Sequence, residues 1–331
     1  MGNTSTDRPV VGVDLGGTKI LAGVIGADGK ILSLAKRPTK AKGGVEVVTE
    51  RIARTIRDAV ESADLELRDV SAVGLGAPGP LDPDEGVILN APNLVGFDNV
   101  PLSEMLRKNL DLPVFIENDV NLGTLGEFAL GAGQGARDVV GIFVGTGIGG
   151  GLILDGVLRQ GWRRTAAEVG HMIVLADGPV CGCGKRGCVE ALASRTAIER
   201  DIWAGIHAGR ESSLRDLMSR DKSDRLTSGQ LAEAHRNGDP LVIDVIARAQ
   251  FYLGLLVASV VNFVDPQMVI VAGGVAEAFG DGFLEPIRRV AYQYFINQRN
   301  AREVGILPAL LGDNAVLLGA AVLAKDRLAR A

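Results

Sequence analysis

Glu168-Val-Gly-His171 is followed, after nine residues, by Cys181-x-Cys183 and then Cys188-x-Glu190. This stretch holds every cysteine and one of the three histidines of the 331-residue chain. Thiolates favour soft or borderline cations, and three of them with one imidazole make the closed four-ligand set of structural zinc. Gly182, Gly184 and Gly187 supply tight turns through which His171, Cys181, Cys183 and Cys188 could converge. Three unconnected thiols beside a surface histidine are the plain alternative. A Cys-x-Cys redox pair is another, which leaves Cys188 and His171 without a purpose. Zinc with four protein ligands does no chemistry itself; it pins a loop. The polar residues pinned with it are Glu168 and Glu190, whose carboxylates accept hydrogen bonds, so the loop suits a hydroxyl-rich ligand such as a sugar.

The Glu-x-Gly-His and Cys-x-Cys-Gly-x-x-Gly-Cys-x-Glu patterns resemble the ROK family, named for repressors, open reading frames and kinases, whose best-known members are bacterial glucokinases. The resemblance implies an α/β chain of the actin-like, hexokinase-like (ribonuclease H-like) fold, duplicated into two domains with a ligand cleft between them. It implies phosphorylation of a hexose by ATP with Mg²⁺, glucose to glucose 6-phosphate foremost, as in glycolysis. Kinases for N-acetylmannosamine, N-acetylglucosamine, fructose or mannose, polyphosphate-dependent glucokinases and sugar-sensing repressors are the alternatives within it. Repressors of the family carry a helix-turn-helix ahead of the first strand, and only nine residues precede Val10. Homodimers or homotetramers are the assemblies the resemblance implies.

The remaining chemistry needs elements to position it. Val10 to Asp14 reads as a buried strand entering the turn Gly16-Gly17-Thr18-Lys19, with a second strand over Ile20 to Ile25. A strand, a glycine turn and a strand make a phosphate cradle from backbone N–H groups, distinct from a Walker loop because no helix or GxxxxGK follows. A tight β-turn with a capping Asp is the bland alternative. In the phosphate reading Asp14 meets Mg²⁺ and Thr18 and Lys19 lie near the phosphates. Arg137 to Val144 leads into Gly145-Thr146-Gly147 and a further strand over Leu152 to Leu154, repeating the first arrangement. Two such turns imply an internal duplication that grips phosphates from both sides.

Helical periodicity covers Val45 to Val60. A strand over Val70 to Leu75 delivers the stiff loop Gly76-Ala-Pro-Gly79-Pro80, and Asn90-Ala-Pro-Asn93 forms another turn. By resemblance Gly79 and Asn93 border the sugar, though both loops also read as ordinary turns. Leu112 to Ile116 is a strand ending in Glu117-Asn118-Asp119, before a helix over Val120 to Leu130. At that corner Asp119 can cap the helix or take the proton of an attacking hydroxyl. The resemblance makes it the catalytic base and Asn118 a sugar ligand, with Glu168, His171 and Glu190 on the ring hydroxyls. Asp239-Pro240 opens a helix reaching about Val264. A strand over Pro266 to Val271 ends in Gly273-Gly274, which resembles the adenosine loop of actin-like kinases and also suits plain packing. Asp313-Asn314 starts a last helix, Ala315 to Leu328. These readings divide the chain into a smaller domain, 8–118 with 314–331, and a larger one, 119–313, carrying the zinc loop.

One stretch departs from the family pattern Gly-x-x-Gly-x-Ala-Gly-Glu, reading Gly161-Trp-Arg-Arg-Thr-Ala-Ala-Glu168. Trp162 suits stacking on a sugar face, and Arg163 and Arg164 suit phosphate at a rim. Equally, all three face solvent or a subunit interface.

A net charge of −5 and a pI near 5.4 argue against nucleic acid as a partner. Residues 1–9 are polar, without a signal-peptide core, and Met1-Gly2 fits a myristoylation pattern only by its shortness. The apolar run Phe251 to Val264 is shorter than the ~20 residues of a membrane span. No membrane and a cytoplasmic location are therefore expected, with a sugar and a nucleotide as partners. Ser212 to Thr227 reads as a polar surface helix and loop.

Overall fold

The computed structural model describes residues 8–91, 93–216 and 225–330. The Met1-Gly2 start, Pro92 of the second loop and the middle of the Ser212–Thr227 stretch lie outside them. Contacts gather the chain into two compact units, Met1–Gly135 with Gly151–Ala166 and Asp313–Ala331, and Ala136–Gly150 with Ala167–Gly312.

The first unit opens with β1 (Val10–Leu15), β2 (Lys19–Ile25) and β3 (Ile31–Pro38), an antiparallel meander. Every residue of β1 is buried except half-buried Asp14, the unbroken apolar run expected of a strand covered on both faces. Helix α1 (Gly44–Glu61) buries Val48, Ile52, Ile56 and Ala59, a 3.6-residue stripe laid on β2 and β3. Strand β4 (Val73–Ala77) runs parallel to β1. Next come the small sheet β5 (Leu81–Asp82), β6 (Val87–Asn90) and β7 (Asp98–Val100), and helix α2 (Leu102–Leu110). Strand β8 (Val114–Asn118) runs parallel to β4 and passes into α3 (Asp119–Leu130). Both β4 and β8 start and end two residues or more later than the sequence suggested. The reason is register: pairing carries Ala77 opposite Asn118, so the ladder ends where the candidate residues begin.

The second sheet comprises β9 (Val139–Val144), β10 (Ile148–Leu154), β11 (Val157–Leu158), β12 (Met268–Ala272) and β13 (Gly305–Pro308). Its order, β11-β10-β9-β12-β13, matches the first sheet's β3-β2-β1-β4-β8 position for position, with parallel neighbours on the far side of the central strand in both. This is the duplicated actin-like architecture expected from the two strand-turn-strand segments.

The helices of the second unit are α4 (Glu190–Ala193), α5 (Arg195–His207), α6 (Ser228–Arg236), α7 (Pro240–Val264), α8 (Gly274–Phe279) and α9 (Asp281–Tyr294). Asp239 caps α7, its carboxylate accepting from the N–H groups of Leu241 and Val242 at 3.1 Å each, ahead of Pro240. The helix is longer than its apolar run, and at 25 residues it is long and apolar enough to span a membrane by composition alone. Here it is a core element, packed by α4, α5 and α9.

Helix α10 (Ala315–Arg330) packs on β1, β4 and α3 within the first unit. The contact is backbone to backbone. A methyl group at Gly74 would collide with the Ala320 carbonyl, and one at Gly319 with the Leu122 carbonyl. Helix α3, which the sequence reading groups with the larger half, is thus seated on α10 inside this unit.

Candidate active site and metal centre

The first glycine turn is closed by the Gly16 N–H donating to the Lys19 carbonyl at 2.9 Å. The Thr39 hydroxyl donates to the Gly16 carbonyl at 2.6 Å. Gly16 therefore shapes the turn, and a phosphate would meet Gly17 and Thr18, the latter exposed. Asn93 stands next to Gly17, its Cβ 3.4 Å from where a Gly17 side chain would begin. Lys19 Nζ pairs with Asp313 at 2.8 Å, an ion pair that no local pattern announces. Asp14, at the end of β1, has its carboxyl pushed up to about 6 by burial, with Lys19 opposing the rise and Asp313 adding to it. A half-buried carboxyl of raised pKa beside a glycine turn suits a divalent cation, whose charge would favour the carboxylate.

The second turn is closed one residue tighter, by the Gly145 N–H donating to the Gly147 carbonyl at 2.9 Å, and has different supports. Arg195 at the start of α5 donates from its backbone to Gly145 at 3.0 Å and from its guanidinium to the Thr146 hydroxyl at 3.0 Å. Glu190 Oε2 accepts the Ile148 N–H at 3.0 Å, and any side chain at Gly147 would strike that carboxylate.

The other oxygen of Glu190 lies 3.4 Å from Cys181 Sγ, which ties the turn to the metal loop. His171, Cys181, Cys183 and Cys188 converge so that one ligand atom from each lies within 4.8 Å of all the others. Cys183 and Cys188 Sγ are 3.7 Å apart, and Cys181 Sγ is 3.7 Å from His171 Nδ1. Tetrahedral zinc with bonds of ~2.3 Å to sulfur sets its ligands ~3.7 Å apart, so the donor set fits the ion in type and in spacing. The cysteines are free thiols. Burial pushes the Cys181 thiol up to about 12 and raises Cys188 as well, whereas the Lys185 N–H holds exposed Cys183 below the ordinary thiol range. A bound dication supplies the charge that buried thiolates need. Gly184 and Gly187 take the left-handed conformation the knuckle requires; Gly182 does not, and a side chain there would meet open space. The third glycine was not needed for convergence.

At the β8–α3 corner the N-cap is Asn118, and Asp119 Oδ1 shares in the first turn by accepting the Val120 N–H at 2.9 Å. Asn118 Oδ1 accepts from the N–H groups of Val120 at 2.9 Å and Asn121 at 3.2 Å. Its amide nitrogen is 3.5 Å from the Gly79 carbonyl, which brings the Gly79 loop to the corner. Asp119 is thereby the first residue of α3, half-buried, where the helix dipole favours negative charge. Gly273 packs its Cα onto the end of β9 with φ 97° and caps α8, which satisfies the plain packing account of that residue, while Gly274 is exposed. Glu168 is exposed beside the one-turn helix that carries His171.

In the departing stretch, Trp162 is 98% exposed. Gly161, Arg164 and Ala167 have φ of 77°, 60° and 63°. Every glycine position of the family pattern is thus left-handed here, including the two where this chain has Arg and Ala. Arg164 is held by an ion pair with Asp84 and a 3.0 Å bond to Gln160.

The ROK family profile matches residues 10–327. The chain is 38% identical over 320 residues to the glucokinase of Thermotoga maritima, spanning 96% of this chain and 98% of that protein. It is similar to the structure of a ROK family glucokinase from Streptomyces griseus in complex with glucose and AMPPNP (TM-score 0.82, 38% identity, 96% of this chain and 99% of that one). It is similar likewise to a ROK hexokinase structure from Thermus thermophilus (TM-score 0.82, 38% identity, 98% and 100% covered). A profile match over nearly the whole chain and relatives at this identity and coverage show that the chain belongs to the ROK family.

Proposed function

We propose that this chain is an ATP-dependent hexose kinase that transfers the γ-phosphoryl group of ATP to the 6-hydroxyl of glucose. The observation that carries the reading is the β8–α3 corner, where Asn118 takes the helix cap and holds the Asp119 carboxylate at the first position of α3, with Oδ1 accepting the Val120 N–H at 2.9 Å. Asp119 is then assigned the base. Its carboxylate accepts the 6-hydroxyl proton as that oxygen bonds to phosphorus and ADP departs, a contribution of ~10²–10⁴-fold. The Asn118 amide group, Gly79 and Asn93 are assigned to the sugar. Glu168, Glu190 and His171 take further ring hydroxyls, His171 through Nε2 because Nδ1 faces the cysteines. Gly17, Thr18, Lys19, Thr146 and Gly147 are assigned to the phosphates, and Gly273 and Gly274 to the base of the nucleotide. Mg²⁺ held near Asp14 would neutralise phosphate charge, and zinc on His171, Cys181, Cys183 and Cys188 would fix the loop. Support comes from the glucokinase relatives and from the glucose and AMPPNP in the Streptomyces griseus structure.

The test is ADP release with Mg²⁺ and ATP across glucose, mannose, fructose, N-acetylglucosamine and N-acetylmannosamine, beside Asp119→Asn. Glucose is expected to give the highest kcat/KM, and the variant to bind glucose while kcat falls at least ~100-fold. Unchanged turnover in the variant would remove the base, and a better acceptor would replace glucose.

A further inference from the structure

Glu117 precedes Asn118 and Asp119 and has no part in the chemistry just assigned, yet it is a carboxylate only 2% exposed. Three amide groups converge on it. The Asn118 backbone N–H reaches Oε1 at 2.8 Å, Asn121 Nδ2 reaches Oε1 at 3.0 Å, and Gln160 Nε2 donates to Oε2. Burying a carboxylate is costly unless its lone pairs are satisfied, and these donors satisfy them from the strand end, from α3 and from a distant loop. The arrangement continues outward. Gln160 Oε1 accepts from Arg164, Arg164 pairs with Asp84, and Asp84 also meets Arg327 of α10 at 3.3 Å. The left-handed, exposed stretch around Trp162 is thereby fastened to the peptide on which Asp119 stands.

We propose that Glu117 and Gln160 are positioning residues for Asp119: the Glu117 carboxylate fixes the Asn118 peptide and the first turn of α3, and Gln160 ties that setting to the 160–164 loop. The inference rests on the phosphoryl-transfer reading above. Its chemical logic is one of donors and acceptors. An ionised carboxylate only accepts, whereas an amide in its place turns an N–H₂ towards at least one of three donors. Glu117→Gln therefore breaks the set without changing side-chain volume. Exchanging the two residues, Glu117→Gln with Gln160→Glu, restores a donor facing an acceptor, and a carboxylate at 160 still accepts from Arg164.

The experiment is steady-state kinetics on the full chain with glucose and MgATP, with amide exchange read at residues 118–121. Glu117→Gln is expected to lower kcat about 10- to 100-fold, as a misplaced reacting group does, with KM for MgATP within about twofold. Exchange at 118–121 should quicken in step, and the double exchange should recover kcat to within about threefold of wild type. Gln160→Met, at a half-buried loop position, is expected to show the same loss at about fivefold, so the test survives a poorly folding Glu117 variant. Unchanged kcat and exchange in both single variants of an active enzyme would overturn the positioning role alone. So would an exchanged pair no better than Glu117→Gln. A wild-type chain silent on every hexose would instead overturn the phosphoryl-transfer reading, and Asp119's role with it.

Discussion

The two glycine turns share a strand-turn-strand plan and a closing hydrogen bond, yet they are held in place by different physics. The first is set by charge, with Lys19 paired to Asp313 beside Asp14, a carboxyl that burial lifts to about 6. The second is set by the metal loop, through a Glu190 carboxylate that spans from Cys181 to the Ile148 N–H, and by Arg195. Duplication supplied one backbone design twice; the supports were built separately. A perturbation aimed at either support should therefore loosen one turn and spare the other.

Removing the metal tests this most severely. Chelation, or Cys188→Ser, is expected to cut kcat/KM by about 100-fold or more and to quicken amide exchange at 146–148, while exchange at 16–19 stays as it was. Equal loosening of both turns would erase the distinction. The converse perturbation is pH. The folded chain holds a proton on Asp14 that the unfolded chain releases near 3.8, so this group's contribution is intact below that value and is lost as pH rises to about 6. The loss amounts to about 3 kcal/mol at most. Thermal melts without nucleotide should show that slope, and Asp14→Asn should flatten it and stabilise the chain at pH 7 while weakening MgATP. A wild-type slope identical to that of Asp14→Asn would mean that burial does not set this carboxyl. The smallest effect concerns Ala167, whose carbonyl packs at Gly150, just past the second turn, with φ 63°. Ala167→Gly is expected to raise stability by about 0.5–1 kcal/mol by relieving left-handed strain, partly offset by a freer unfolded chain. A Tm that falls instead would place the strain elsewhere.

Much of this was legible before any coordinates. Apolar runs broken by glycine marked β1, β2, β9 and β10, and cysteine spacing marked the metal loop, because those signals are local. Asn118 and Asp119 show the limit. Both are cap-forming residues, and which one caps depends on where α3 begins, which register with β4 decides rather than the sequence around the corner. Glu117, Gln160 and Arg195 carry no local signal, and Asp313 reads only as a helix start, for a related reason. Gln160 lies 43 residues from Glu117 and Asp313 lies 294 from Lys19, and no spacing rule reaches so far. Pro286 inside α9 masks that helix, because proline ordinarily marks a helix end. Helix α2 and strands β5 to β7 are too short for periodicity to declare.

The glycine seam beneath α10 sets a timetable. Strands β1 and β4 are synthesised well before the helix that covers them, and Lys325 reaches back to the Gly26 carbonyl across 299 residues. Until then the face of that sheet is bare apolar surface on a growing polypeptide. Contacts of such sequence separation fold slowly and leave nascent chains open to aggregation. A chaperone that shields this sheet until its covering helix has been made should therefore raise the yield of folded chain.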